Sequence, residues 1–170
     1  MAHPVAPDPH HAAHDRASLA YAVVTVSDTR TLADDHSGQV VVEALDAAGH
    51  RLVARRVVPD ETAAIVGAVR DAVDAGARLV VTNGGTGIAP RDVTYEAIAG
   101  LLDKTLEGFG EAFRRLSWDE IGPRAVLSRA LAGTYGGALV VALPGSTKGV
   151  RLGIERLVIP LAPHAVGLLG

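Results

Sequence analysis

Short valine-rich runs that alternate with stretches of helical period constrain this chain more than any other feature. Tyr21–Val26 places Val23, Val24 and Val26 within six residues, the density of a buried strand. Ser37 is then placed as the cap of a helix with Val40, Val41, Ala44, Leu45 and Ala48 on one stripe and Gly49 at its end. Leu52–Val58 reads as a second strand, polar enough to lie near an edge. Pro59-Asp60 opens a second helix with Ile65, Val66, Val69 and Val73 on one face, stopped by Gly76. Arg78–Thr82 is a third strand, followed by a glycine loop and a helix around Tyr95–Leu102. Beyond a less regular middle, Ala138–Leu143 is a strongly apolar strand and Ser146–Arg156 a helix. Strand and helix in turn imply parallel βαβ units with right-handed crossovers. The expected fold is α/β, a three-layer α/β/α arrangement with a mostly parallel central sheet.

Composition narrows the classes of function. At 170 residues the chain has room for one full core. It contains no cysteine, which excludes disulfides, zinc–thiolate sites, iron–sulfur clusters and thiol nucleophiles. A net charge of −3 and 4% aromatic residues offer neither a basic footprint nor a stacking platform for nucleic acid. Residues 1–17 are expected to be a disordered tail rich in histidine and proline, with His3, His10, His11 and His14 solvated. Residues 18–170 are expected to form one cytoplasmic domain. The apolar stretch 157–170 carries Pro160, Pro163 and His164 and is too short to span a bilayer.

In open α/β sheets, ligands bind beyond the carboxyl ends of the strands. Three strand-to-helix loops here have distinctive chemistry: 27–38, starting Ser27-Asp28-Thr29; 83–92, starting Asn83-Gly84-Gly85-Thr86-Gly87; and 144–148, Pro144-Gly145-Ser146-Thr147-Lys148. If their strands are neighbours, the loops share one crevice. Three glycines in four residues let backbone N–H groups approach an anion at a helix start, typically a phosphate; the alternative is a tight turn needing positive φ. The dinucleotide fingerprint is absent, because Pro90 stands where its third glycine would be, and no P-loop occurs. Asp60 and Asp92 each precede a helix, so each can cap it or hold a metal ion. Asp34, Asp35 and His36 read as a solvated loop. Lys148 is either a phosphate partner or an ordinary exposed lysine. Phe109, Phe113, Leu116 and Trp118 read as packing residues. No serine-hydrolase elbow is present.

These loops resemble those of the MoaB/MogA family of molybdenum-cofactor biosynthesis proteins, whose active members are molybdopterin adenylyltransferases. The resemblance rests on Val26-Ser27-Asp28-Thr29-Arg30-Thr31, Asp34-Asp35-His36-Ser37-Gly38, Asn83 through Thr94, Gly108-Phe109-Gly110-Glu111-Ala112-Phe113-Arg114, Leu127-Ser128-Arg129-Ala130 and Leu143-Pro144-Gly145-Ser146. It implies that family's fold and a reaction in which the terminal phosphate of molybdopterin attacks the α-phosphate of ATP and pyrophosphate leaves, with magnesium assisting. It implies catalytic and magnesium-holding roles for Asp60 and Asp92. It implies substrate or phosphate contacts at Asp28, Asn83, Gly84, Gly85, Thr86, Gly87, Glu111, Ser128, Pro144, Gly145, Ser146 and Lys148. A homotrimer or hexamer and contact with the molybdenum insertase are implied partners, with no nucleic acid and no membrane. The alternative is a non-catalytic member that binds molybdopterin as a scaffold. Tyr95 stands where proline is usual in the family, and Thr147 where many relatives have proline.

Overall fold

The valine-rich runs become the middle of a six-stranded sheet. The computed structural model describes residues 17–170, so the four N-terminal histidines lie outside the described residues. Strands β1 (Ala20–Val26), β2 (Arg51–Val58), β3 (Leu79–Asn83), β4 (Lys104–Thr105), β5 (Leu131–Tyr135) and β6 (Ala138–Leu143) lie in the order β2-β1-β3-β6-β5-β4. The β1/β2, β1/β3 and β3/β6 pairs are parallel, and β5 runs antiparallel to β4 and β6. Tyr21 faces Leu79 across one ladder and Leu79 faces Leu139 across the next.

Because side chains alternate along a strand, each strand feeds two separate cores. On one face Tyr21, Val23, Leu79, Val81, Leu139 and Val141 pack against helices α1 (His36–Ala47), α4 (Glu107–Ile121), α5 (Thr147–Gly153) and α6 (Ile159–Gly167). On the other, Ala22, Val24, Val80, Val140 and Ala142 meet α2 (Thr62–Asp74) and α3 (Thr94–Leu101). Packing overrides local preference in α1. Each of its consecutive valines, Val40, Val41 and Val42, costs a helix up to about 0.7 kcal/mol relative to alanine. Burying Val41 completely is worth roughly 1.5–3 kcal/mol, so the tertiary term wins.

Several boundaries differ from the sequence expectation, each for a local reason. The cap of α1 is Asp35, whose carboxylate accepts from Gly38 N, while Ser37 lies inside the first turn. Asp35 is therefore buried rather than part of a solvated loop; Asp34 and His36 are exposed as expected. Helix α2 starts at Thr62, two residues after Asp60. Strands β4 and β5 come from the less regular middle, where two- and five-residue elements leave little periodic signal. The β5–β6 hairpin turns through Gly136 and Gly137 at φ 55° and 78°, the positive pair that a two-residue type I′ turn demands. Phe109 and Phe113 pack in the core, but Trp118 is half exposed.

The C-terminal stretch continues the helical column instead of ending it. Pro160 has no N–H and its ring presses on the carbonyl four residues back, at Arg156. A widened π turn over Ile154–Val158 contains that carbonyl and joins α5 to α6. Val158, Ala162 and Val166 enter the core, while Leu157 and Leu161 line an open apolar groove with Phe109 and Ala112. No helix among the described residues is long and apolar enough to cross a membrane.

Candidate functional site

Strands β1, β3 and β6 are adjacent, so the three loops leaving their carboxyl ends do converge. Two hydrogen bonds lock the convergence. Gly84 N donates to Leu143 O at 3.1 Å, and Ser37 Oγ donates to Gly145 O at 2.7 Å. Asn83 is buried with its side-chain amide 3.0 Å from Thr25 Oγ1, which ties the end of β3 to β1.

Gly85 and Gly87 are required by what lies against them. A Cβ on Gly85 would stand 2.9 Å from both carboxylate oxygens of Asp60, and one on Gly87 would stand 2.5 Å from Asp92 Oδ2. The loop is thus bare backbone with a carboxylate seated on each of two glycines. The N–H groups of Gly85, Thr86, Gly87 and Ile88 have no acceptor among the described residues. Four successive unpaired donors are what an anion-binding nest offers.

Neither aspartate caps its own following helix. Asp92 Oδ2 accepts from Ala89 N at 2.9 Å, closing the loop on itself. Asp60 Oδ1 accepts from Val93 N at 3.3 Å, in the neighbouring loop. Asp28 Oδ1 accepts from Asp60 N at 3.1 Å, and its other oxygen pairs with Arg91. Burial pushes the Asp60 carboxyl above its ordinary range; the Val93 N–H opposes this, and the charges of Asp92 and Asp28 add to it, partly offset by Arg91. Three carboxylates of like charge therefore share one rim. Among the described residues, no three His, Cys, Asp or Glu side chains are close enough to cage a metal ion by themselves.

Beside this rim opens a cavity of about 440 Å³. Gly85, Thr86, Gly87, Asp92, Ser128, Pro144, Gly145, Ser146 and Lys148 line it, all of them candidates from sequence. Ser146 also caps α5 by accepting from Gly149 N at 3.2 Å. Asp28, Asp60, Asn83 and Gly84 stand behind or beside the lining. Glu111 does not line it: the side chain is exposed on α4, whose cavity face instead presents Phe113, Ser117, Glu120 and Ile121. Phe113 and Ile121 of that face, with Leu127 and Leu152, form an apolar wall; Phe113 and Leu127 stood in matching blocks without a cavity role, and Ile121 and Leu152 stood in none. The spacing of 113, 117 and 120–121 is one helical stripe, the signal that could have placed Ser117, Glu120 and Ile121 beside Phe113. An apolar wall opposite a polar, anion-accepting loop suits a ligand with a flat ring at one end and phosphate at the other.

Residues 22–164 match the model of a family described as "Probable molybdopterin binding domain". The chain is 46% identical over 148 residues to molybdenum cofactor biosynthesis protein B of Bacillus cereus, covering 84% of this chain and 85% of that protein. A crystal structure of a molybdenum cofactor biosynthesis protein B superposes with a TM-score of 0.88 at 44% identity, covering 91% of this chain and 97% of the other. The tungsten cofactor synthesizing protein MoaB from Pyrococcus furiosus superposes at 0.76 with 40% identity, over 82% and 90% of the two chains. Through its fold, its glycine-loop crevice and these likenesses together, the chain belongs to the molybdopterin-binding family of molybdenum cofactor biosynthesis proteins.

Proposed function

We propose that this protein is a molybdopterin adenylyltransferase. A terminal phosphate oxygen of molybdopterin attacks the α-phosphorus of ATP, the bond to the β-phosphate oxygen breaks, and adenylylated molybdopterin and pyrophosphate result. The observation that carries this reading is the glycine loop itself, with free N–H groups on one side and the Asp60 and Asp92 carboxylates seated on its backbone. Phosphoryl transfer asks a protein mainly for alignment and charge neutralisation, so a crevice with no side-chain nucleophile fits the task.

The residues present suit a magnesium ion. Asp60 is already pushed up by burial and by its acidic neighbours, a state that a bound cation relieves. Two carboxylates without a third ligand match the way Mg²⁺ is held, by few protein oxygens with substrate phosphates and water completing the shell. Asp60 and Asp92 would hold it, and bound there it would neutralise charge on the reacting phosphate oxygens. The loop N–H groups orient the same oxygens. Lys148 and Ser146, from the third loop, also line the cavity and would meet the second anionic group. The apolar wall of Phe113, Ile121 and Leu127 would exclude water from the ring end of the ligand.

The test is pyrophosphate release with molybdopterin, ATP and MgCl₂. Release is expected to stop with EDTA, and Asp92→Ala is expected to lower turnover about 10²–10³-fold while the variant still folds. Full activity in that variant would remove Asp92 from the mechanism. Tight pterin binding without pyrophosphate release in the wild-type protein would replace catalysis by a carrier or scaffold role.

A further inference from the structure

Arg129 lies between the 3₁₀ turn (Gly122–Leu127) and β5, and its guanidinium lies against the glycine loop. Its Nε donates to Gly87 O at 3.0 Å and to Thr86 O at 3.3 Å. Nη2 donates to Gly87 O at 2.6 Å and to Asp92 O at 3.2 Å, and Nη1 pairs with Glu96. The guanidinium carbon stands 5.1 Å from the ring centroid of Tyr95, so the plane of the fork is held from one face. One side chain thus collects three backbone carbonyls from the loop that carries Gly87 and Asp92.

The consequence follows from peptide geometry. The described peptides include no cis bond, and in a trans peptide the carbonyl and the next N–H point in opposite directions. The Asp92–Val93 unit displays this directly: its carbonyl meets Arg129 and its N–H meets Asp60 Oδ1 at 3.3 Å. By the same rule the Thr86 and Gly87 carbonyls turn the N–H groups of Gly87 and Ile88 away from the guanidinium. Neither of those donors has an acceptor among the described residues.

We propose that Arg129 is a positioning residue, whose guanidinium fork aims the Gly87 and Ile88 N–H groups at a substrate phosphate and the Val93 N–H at Asp60. This rests on the reading of the crevice as a phosphate-handling site. The fork matters more than the charge. A lysine ammonium is a point donor without the planar spread that satisfies three carbonyls and a carboxylate together. Glu96 closes the outer edge of the fork and is more than half exposed, so it tunes the arrangement less than Arg129 does.

The experiment titrates inorganic pyrophosphate and Mg²⁺–ATP calorimetrically into the wild-type protein, Arg129→Lys and Glu96→Gln, well below their unfolding temperatures. Arg129→Lys is expected to bind both ligands about tenfold or more weakly, and Glu96→Gln to stay within about threefold, since only the first loses fork hydrogen bonds. Unchanged affinity in folded Arg129→Lys, even with a lowered unfolding temperature, would mean a purely structural residue and overturn the proposal. Wild-type protein that binds neither ligand would instead overturn the phosphate reading beneath it. Should Arg129→Lys not fold, the Arg129 Nε–H resonance of the wild-type protein decides the matter. It is expected to be protected from solvent exchange and to shift with pyrophosphate. Exchange at the rate of free arginine with no response to ligand would sink the idea.

Discussion

Asp35 and Asp60 leave the carboxyl ends of neighbouring strands, carry the same side chain, and live in opposite electrostatic conditions. The Asp35 side chain is completely buried, and each of its oxygens is satisfied: Oδ1 by Gly38 N at 2.9 Å, Oδ2 by Thr25 Oγ1 at 2.8 Å and Arg55 Nη2 at 3.1 Å. Asp60 is only part-buried, has one backbone donor at 3.3 Å, and faces two further carboxylates. Burial alone therefore does not separate a satisfied acid from one left short of donors. The count of donors does. A buried carboxylate with a cation and two donors is part of the scaffold, whereas one left short of donors among like charges has unspent capacity for a ligand.

The comparison breaks most visibly at Asp35. Asp35→Ala removes the helix cap and strips Arg55 of its carboxylate, and is expected to cost about 3 kcal/mol in urea-induced unfolding. A loss below about 1 kcal/mol would show that the network is slack. Asp60→Asn should do the reverse. With no charge to desolvate, it is expected to gain about 0.5 kcal/mol in magnesium-free buffer while pyrophosphate release falls about 100-fold. The sign follows from linkage. The folded state keeps the Asp60 proton to a higher pH than the unfolded chain does, so wild-type stability falls as pH rises through the elevated pKa. Asp60→Asn should flatten that part of the curve, and an unchanged curve would contradict the raised carboxyl.

The smallest effect belongs to His50, far from the crevice. Its Nδ1 accepts from Leu19 N at 3.2 Å, and burial pushes its pKa below the ordinary imidazole value. The unfolded chain then binds more protons just below about pH 6.5, so stability should rise with pH through that window by less than about 1 kcal/mol. His50→Gln should abolish the slope in equilibrium unfolding at pH 5 to 7.

Much of the fold was legible along the chain. The runs at 21–26, 78–82 and 138–143 became β1, β3 and β6, and their adjacency made the three loops one crevice. Nine of the candidate residues line the cavity: loop composition is local in sequence, and the β1/β3 and β3/β6 pairings then set the loops side by side. Other features were hidden. Asp35 sat in an acidic stretch that looked solvated, since its partners Thr25 and Arg55 lie on two separate strands. Trp118 looked like core, but it falls on the outer side of α4. Glu111 lay in a matching motif, yet the helix turns it away from the cavity.

Arg129 shows the limit most clearly. In the chain it stands in the matching block Leu127-Ser128-Arg129-Ala130, where nothing local gives it a role. In the fold it is hydrogen-bonded to carbonyls 37 and 42 residues away, at both ends of the segment that runs from Gly87 to Asp92. Backbone conformation, glycine placement and side-chain periodicity are short-range matters, so amino-acid order suffices to write alternating strands and helices with a glycine loop at the carboxyl end of one strand. Which carboxylate is satisfied, and which N–H groups stay free, depends on donors and charges brought from distant segments. A sum of pairwise electrostatic contacts exists only once the chain has folded.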